Sequence, residues 1–318
     1  MVKVHVATLG EIYVIVYPKA LGPYNEEMNF SLLINCSPLN VAIAIRRLDC
    51  FSGVIGAIGD DLLGCFIVNA LRKENVLTYW LKIKKLRTTV AFAVKDKYGE
   101  KLLFYRKPYV KTADTELTIK DLPIHEILGS INVLYVSGFS TYKAPLRDTV
   151  FYTMKNALKE NVETVFSLNL TNYIKIPFKK LLELYSKFFK YSTVVFMKLR
   201  EVEYLFKSKN YKFITYKLLE KFSNLKYVIV EHGKGVFVRT RKTTVDRLFG
   251  EVRYVDLRGS NDAWISSFIT YHFIKGVNLE DSIKIANTAF KITCSKPGVL
   301  ESFPSSRELE SVILKVAK

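Results

Sequence analysis

Cysteine is scarce in this chain, and its placement argues against zinc or disulfide chemistry. Cys36, Cys50, Cys65 and Cys294 form no CxxC pair and have no histidine at zinc-ligand spacing, so reduced, mostly buried thiols are expected. Long apolar runs are missing as well. The smoothest, "FSGVIGAIG", meets Asp60-Asp61 well short of the roughly 20 residues of a membrane helix. The N-terminal "MVKVHVATLGEIYVIVY" has an early lysine, but His5, Gly10 and Glu11 interrupt it and no small-residue cleavage site follows. It reads as a first strand, and a cytoplasmic protein without membrane contact is expected. No repeat, low-complexity tract or long Pro/Gly linker divides the 318 residues, which are enough to bury a large core.

Acidic residues are in the minority: 48 Lys+Arg stand against 30 Asp+Glu, a net charge of +18. That surplus favours an anionic partner, either nucleic acid or a nucleotide or phosphorylated metabolite. The basic residues are scattered through "KIKKLR", "YRKPYVK", "KFFKY", "KSKNYK" and "RTRKTT" with no nucleic-acid-binding motif beside them. A generally basic surface is the simpler reading, and nucleic acid the weaker partner.

What the chain does have is alternation. Apolar, β-rich runs at 3–9, 52–58, 132–138, 163–169, 193–198, 226–231 and 235–240 read as strands. Helical patterns at 38–48, 62–75, 144–160, 177–188, 200–207 and 213–223 lie between them, and three more, at 263–275, 279–293 and 305–317, fill the last third. Strand and helix in this order predict an α/β protein: a doubly wound, mostly parallel sheet with helices on both faces. The stretch "RTTVAFAVK", "DKYG", "EKLLFYR" breaks the pattern as a hairpin. With "IYVIVYP" and "MNFSLLIN" it predicts a small second sheet, a lid built from segments at about 12–35 and 86–110 on a single domain spanning 1–318.

In an open parallel sheet, ligands gather where strands run into helices. Three such junctions stand out. In "NCSPLNVAIAIRRL", Ser37 suits an N-cap and Pro38 position N1, which puts Asn40, able to donate and accept, in the first turn. In "GDDLLG", Asp61 suits a helix cap. In "DLRGSNDAW", Gly259, Ser260 and Asn261 precede an apolar helix, offering free amides and a dipole end to an anion. Asp262 beside that receptor suits either capping or a base that takes a hydroxyl proton while phosphate charge grows next to it.

The order of "SPLNVA", "GDDLLG", the hairpin ending "FYRK" and "GSND" resembles the ribokinase-like (PfkB-type) carbohydrate kinase family from Leu9 to about Gly298. The "LGE" start and Tyr105-Arg106-Lys107 make it most similar to the archaeal 2-keto-3-deoxygluconate kinases. The resemblance implies a ribokinase-like fold with a β lid, transfer of the γ-phosphoryl of ATP to a sugar hydroxyl with Mg²⁺, and association through the lids into a homodimer or higher oligomer. It implies catalytic roles for Asp262 and for the anion hole of Gly259, Ser260 and Asn261. Substrate contacts fall on Asn40, Tyr105, Arg106, Lys107 and Asn169, nucleotide contacts on Gly233, Gly235, Asp256 and Asn287, and the metal on Glu203. The chain departs from the family pattern in several places. The family's Ala and second Gly of the anion hole are Ser260 and Asn261, its Gly-Gly before the substrate asparagine is Asn35-Cys36, its Asp-x-Asn-x-Arg is Ser167 to Thr171, and the asparagine of its Asn-x-x-Glu is Arg200. Three readings stay open: an active ATP-dependent kinase for a sugar or sugar acid, a diverged silent relative that binds sugar or nucleotide, and a basic nucleic-acid-binding protein.

Overall fold

The computed structural model describes residues 4–20, 22–96, 99–170 and 176–310, without side chains at 95–100. The main sheet begins with β1 (Val6–Leu9), and β2 (Tyr13–Pro18) and β3 (Phe30–Ile34) leave it for the second sheet before α1 (Ser37–Arg47). The chain then forms β4 (Ser52–Gly59), α2 (Leu62–Lys73), β5 (Leu81–Lys84) and the hairpin β6 (Thr89–Asp96) and β7 (Gly99–Tyr105). After α3 (Ile124–Gly129) come β8 (Val133–Ser137), α4 (Leu146–Lys159), β9 (Glu163–Ser167), α5 (Phe178–Phe189), β10 (Val194–Lys198), α6 (Leu199–Phe206) and α7 (Tyr211–Lys221). The meander β11 (Tyr227–Glu231), β12 (Gly235–Arg239) and β13 (Thr244–Leu248) leads to α8 (Ser260–Phe268) and α9 (Leu279–Cys294).

The main sheet has nine strands in the order β13-β12-β11-β10-β9-β8-β1-β4-β5. It is parallel from β11 to β5, and only the β11–β12 and β12–β13 pairs are antiparallel, so that β12 alone is reversed. Alternate strand residues feed two cores, as a sheet buried on both faces requires. Val6, Val133, Tyr135, Val165 and Phe196 pack with Trp264, Phe268 and Ile283 of α8 and α9. Ala7, Leu134, Phe166, Val195 and Met197 pack with Met154 of α4 and Tyr185 and Phe188 of α5. Each of the Val, Leu, Ile, Phe and Met side chains among them contributes about 1.5–3 kcal/mol by leaving water.

Several elements depart from the sequence reading, among them α3, which it did not contain. The helix expected at 263–275 starts earlier, at Ser260, and relaxes into a π-helical stretch over Ile269–Ile274. Short β5 and β13 were not legible, because "LKIK" and "TVDRL" are sheet edges with one wet side and little apolar content. Most of the helix expected at 305–317 lies outside the described residues.

The second sheet runs β3-β2-β6-β7, with β2 and β6 parallel and the outer pairs antiparallel. Register places Phe30, Leu32, Val16, Phe92, Leu103 and Tyr105 on one face. That face is apolar and open: Phe30, Leu32, Leu103 and Tyr105 are 39%, 37%, 53% and 59% exposed. Among the described residues no helix is long and apolar enough to cross a membrane.

Candidate functional site

The carboxyl ends of the parallel strands open onto a cavity of about 900 Å³. Reading along the sheet sorts its wall. At one end, beyond β11, lie Glu231, His232 and Gly233; at the end of β10, Lys198, Arg200 and Glu203; at the end of β9, Asn169; beyond β8 and β1, Phe139, Glu11 and Tyr13; and before α1, Asn35 and Ser37. The loop Leu257 to Asp262 lines it from the side of α8.

The start of α8 differs from the sequence reading: Ser260 and Asn261 lie inside its first turn rather than ahead of it, and Ser260 N–H donates to Leu257 O at 3.3 Å. Gly259 is the N-cap, in a left-handed conformation (φ 77°) where a Cβ would also lie 2.9 Å from the Phe303 ring; glycine is required there on both counts. No side chain caps this helix start, and Asp262 does not turn back onto it. Instead its Oδ1 accepts from Ser37 Oγ and its Oδ2 from Asn40 Nδ2 at 2.8 Å. Burial pushes the Asp262 carboxyl above its ordinary value, opposed by the Ser37 and Asn40 hydrogen bonds and by the Lys198 charge. A carboxylate so poised suits a general base.

Ser37 is the first residue of α1 rather than its cap, and Pro38 is the second; Cys36 is the N-cap, with no side-chain bond. The serine hydroxyl is turned to Asp262 and to Tyr135 Oη, 2.6 Å away. Because Ser37 donates to Asp262, Tyr135 donates to Ser37, and Asn169 Nδ2 in turn reaches Tyr135 Oη at 3.3 Å. Three donors thus point in series toward one carboxylate, an arrangement that favours its charged form. Asn169 holds a left-handed backbone (φ 45°), a strain of the kind that clusters at functional sites. Its Nδ2 also reaches Ser137 Oγ at 3.3 Å, which donates to Glu11 Oε1 at 2.8 Å.

Glu201, buried behind this wall, accepts from Leu170 N and Lys198 N at 2.8 Å each and ties the ends of β9 and β10 together. Arg258 lines the cavity with its guanidinium 4.4 Å above the Tyr17 ring of the second sheet. Its Nε and Nη2 donate to Asp256, Nη2 at 2.6 Å. Burial opposes the Asp256 charge, but the Arg258 bonds outweigh it and hold the carboxyl below its ordinary range.

Several predicted residues stand elsewhere. Asn40 is 1% exposed, behind the wall as a support for Asp262. Arg106 is also 1% exposed, ion-paired with Asp114 at 3.1 Å and stacked behind Phe139. Tyr105 points to the outer face of the second sheet, because strand alternation puts it opposite Arg106. Lys107 pairs with Glu116 and donates to Ala144 O. Gly235 begins β12, where a Cβ would meet Arg247 O at 2.3 Å; close strand pairing requires it. Asp256 braces the Arg258 turn and accepts from Gly298 N at 3.2 Å. Asn287 accepts from Trp264 Nε1 at 2.8 Å inside the α8–α9 packing. The structure does bring Asp262, Gly259, Ser260, Asn261, Asn169, Gly233 and Glu203 to the cavity.

Sequence reading missed Glu11, Tyr13, Ser37, Lys198 and Arg258 as wall residues. Glu11, an acid in an apolar run, and Lys198, at the end of a buried strand, carried a signal; Ser37 was read only as a cap.

Among the described residues no three His, Cys, Asp or Glu side chains cluster to hold a metal. Glu203 and Glu231 line the cavity as separate hard oxygen donors. That donor set fits Mg²⁺, which is commonly held by one or two carboxylates together with substrate phosphates.

A profile described as pfkB family carbohydrate kinase matches residues 5–306. A 5-dehydro-2-deoxygluconokinase of Halalkalibacterium halodurans is 28% identical over 302 residues, 92% of this chain and 89% of that protein. The fructokinase from Xylella fastidiosa with bound ATP superposes with a TM-score of 0.87 at 19% identity, covering 100% of both chains. A putative ribokinase II from E. coli in complex with ATP and Mg²⁺ gives 0.86 at 18%, covering 98% of this chain and 99% of that one.

Proposed function

Because the chain belongs to the pfkB family of carbohydrate kinases, we propose that it transfers the γ-phosphoryl group of ATP to a hydroxyl of a sugar or sugar acid in the cytoplasm. The observation that carries this is the placing of Asp262: at the first turn of α8, on the cavity wall, with both oxygens oriented by Ser37 and Asn40.

Asp262 takes the proton from the acceptor hydroxyl as the new O–P bond forms and the bond from the γ-phosphorus to the oxygen bridging it to the β-phosphate breaks, with ADP as the leaving group. The amides of Gly259, Asn261 and Asp262, at the positive end of α8, face the charge on the transferred group. Lys198 and Arg258 add positive charge on the same wall. His232, Gly233, Tyr254 and Phe290 form the other end, where aromatic surface suits a nucleotide base, and Phe290 is held by a parallel stack on Phe249 at 3.9 Å. Glu203 would hold Mg²⁺, which supplies neutralisation of phosphate charge. The second sheet acts as the lid: Tyr13 and Asn35 from its strand ends reach the cavity, and Tyr17 lies under Arg258. Its open apolar face is the surface through which two copies associate.

The likeness to a 5-dehydro-2-deoxygluconokinase moves the favoured acceptor from 2-keto-3-deoxygluconate to 5-dehydro-2-deoxygluconate. With Arg106 buried against Asp114 away from the cavity, Lys198, Arg200 and the Asp256-paired Arg258 are the cavity cations that would meet a carboxylate. The test is turnover of Mg·ATP with 5-dehydro-2-deoxygluconate, fructose and ribose by the natural chain and by Asp262→Asn. Loss of the base is expected to lower kcat about 10²- to 10⁴-fold; equal rates in both proteins refute the assignment. Tight nucleotide binding with no turnover on any acceptor would mark a silent relative instead.

A further inference from the structure

We propose that Asn35 reads the acceptor, donating a hydrogen bond to an oxygen on the carbon next to the hydroxyl that Asp262 deprotonates; this rests on the kinase reading above. Asn35 follows β3 and lines the cavity. Its Oδ1 accepts from Asn40 Nδ2 at 2.9 Å, and the same nitrogen donates to Asp262 Oδ2 at 2.8 Å. Both amide hydrogens of Asn40 are therefore engaged, and Asn40 is closed off at 1% exposure. It has no hydrogen left to offer a substrate.

The bond from Asn40 also fixes which way the Asn35 amide points. A donor faces its Oδ1, so its Nδ2 is turned away. No described group accepts from that nitrogen, and Asn35 is only half-buried on a polar wall. Two N–H donors remain for an incoming oxygen. On the neighbouring wall Asn169 uses its Nδ2 on Tyr135 and Ser137, which leaves its Oδ1 as an acceptor. Asn35 as donor and Asn169 as acceptor, with Asp262 close to Asn35, fit a polyhydroxylated chain with a hydroxyl or carbonyl beside its reactive hydroxyl. A mono-alcohol would leave the Asn35 amide unmatched, and unmatched buried donors are what give such sites selectivity.

Two variants separate reading from support. Asn35→Gly removes the whole amide; Asn35→Asp keeps the oxygen that Asn40 binds and removes the NH₂. Initial rates with Mg·ATP on 5-dehydro-2-deoxygluconate, fructose and ribose are compared with the natural chain, after thermal melts confirm folding. Both variants are expected to raise KM for the best of the three acceptors about tenfold while KM for ATP stays within about twofold. An unchanged acceptor KM in either variant overturns the proposal. In particular, a natural KM in Asn35→Asp alone would reduce Asn35 to a support for Asn40. Failure of the kinase reading has a different signature: no turnover by the natural chain, or full turnover by Asp262→Asn.

Discussion

Replacing Glu11 with glutamine is expected to remove most of one pH-dependent contribution to stability. Glu11 is 2% exposed, on the cavity side of the turn after β1. Its Oε1 accepts from Ser137 at 2.8 Å, its Oε2 from Ser140 Oγ, and its own N–H donates to Ser140 Oγ at 2.7 Å. Burial raises its carboxyl from an ordinary 4.5 to about 7, against the lowering effect of those hydrogen bonds and of the Arg106 charge. Tyr13, Cys36, Tyr135 and Tyr185 feel its charge, and all four are raised, first by their own burial.

The sign follows from proton counting. Between pH 4.5 and about 7 the unfolded chain has released this proton while the folded chain keeps it, so stability falls as pH rises across that window. At about 1.4 kcal/mol per tenfold change in proton affinity, the full effect is about 3 kcal/mol, reached somewhat above pH 7. Glu11→Gln has no proton to lose. In urea denaturation series at pH 4.5 to 8, the stability of the variant minus that of the natural chain should climb by about 3 kcal/mol and then level off. Contributions from all other groups cancel in that difference. A difference that stays flat within about 0.5 kcal/mol would show that Glu11 ionises normally, with water or a rearranged Ser137 solvating it.

Two further outcomes follow from packing. Arg106→Met leaves Asp114 buried with only Thr89 and Thr112 as hydroxyl donors, so a loss of about 3–5 kcal/mol is expected by urea denaturation, smaller in the Arg106→Met, Asp114→Leu double variant; a loss below about 1 kcal/mol would argue against the pair as built. Leu103→Glu puts a charge in the middle of the open face of the second sheet, and sedimentation should find the natural chain at twice its 36.6 kDa and the variant at half that mass. A monomeric natural chain would remove this face as the contact.

The sheet and its helices were legible because each buried strand is a continuous apolar run and each intervening helix a period near four; no tertiary knowledge is needed to see either. The uncapped turn before α8 was legible for a similar reason, since a glycine before a helix start is a local matter. Side-chain partners across the fold were not. Asn40 and Asp262 are 222 residues apart and Ser37 and Asp262 are 225 apart, so nothing local says that the asparagine supports the aspartate while Asn35 takes the place on the wall. The burial of Arg106, expected as a substrate contact, escaped for the opposite reason. Its partner Asp114 lies only eight positions on, but an arginine beside an exposed tyrosine looks like surface until the strand register turns it inward.

That pattern bears on how the site works. A carboxylate drawn into a low-dielectric wall loses basicity to each donor that holds it and gains it from burial. Here Ser37 and Asn40 orient Asp262, Lys198 sets the field around it, and burial still raises its carboxyl. Neither the two donors nor the cation is contributed by the helix that carries the aspartate: Ser37 and Asn40 come from α1 and the Lys198 charge from the end of β10. The Asp262 carboxyl is therefore tuned by the approach of two elements, α1 and β10, to α8. A change that shifts α1 relative to α8 is expected to alter the pH at which activity falls on acidification before it alters nucleotide binding. A core variant at the α1–α8 contact, Val41→Ala, tests this. Val41 packs in the same cluster as Trp264 and Ile265, and its carbonyl lies within reach of Ser266 Oγ at 3.4 Å. The acidic limb of its kcat profile should move while KM for ATP holds; an unmoved limb in a folded variant would show that Asp262 is set by its own helix alone.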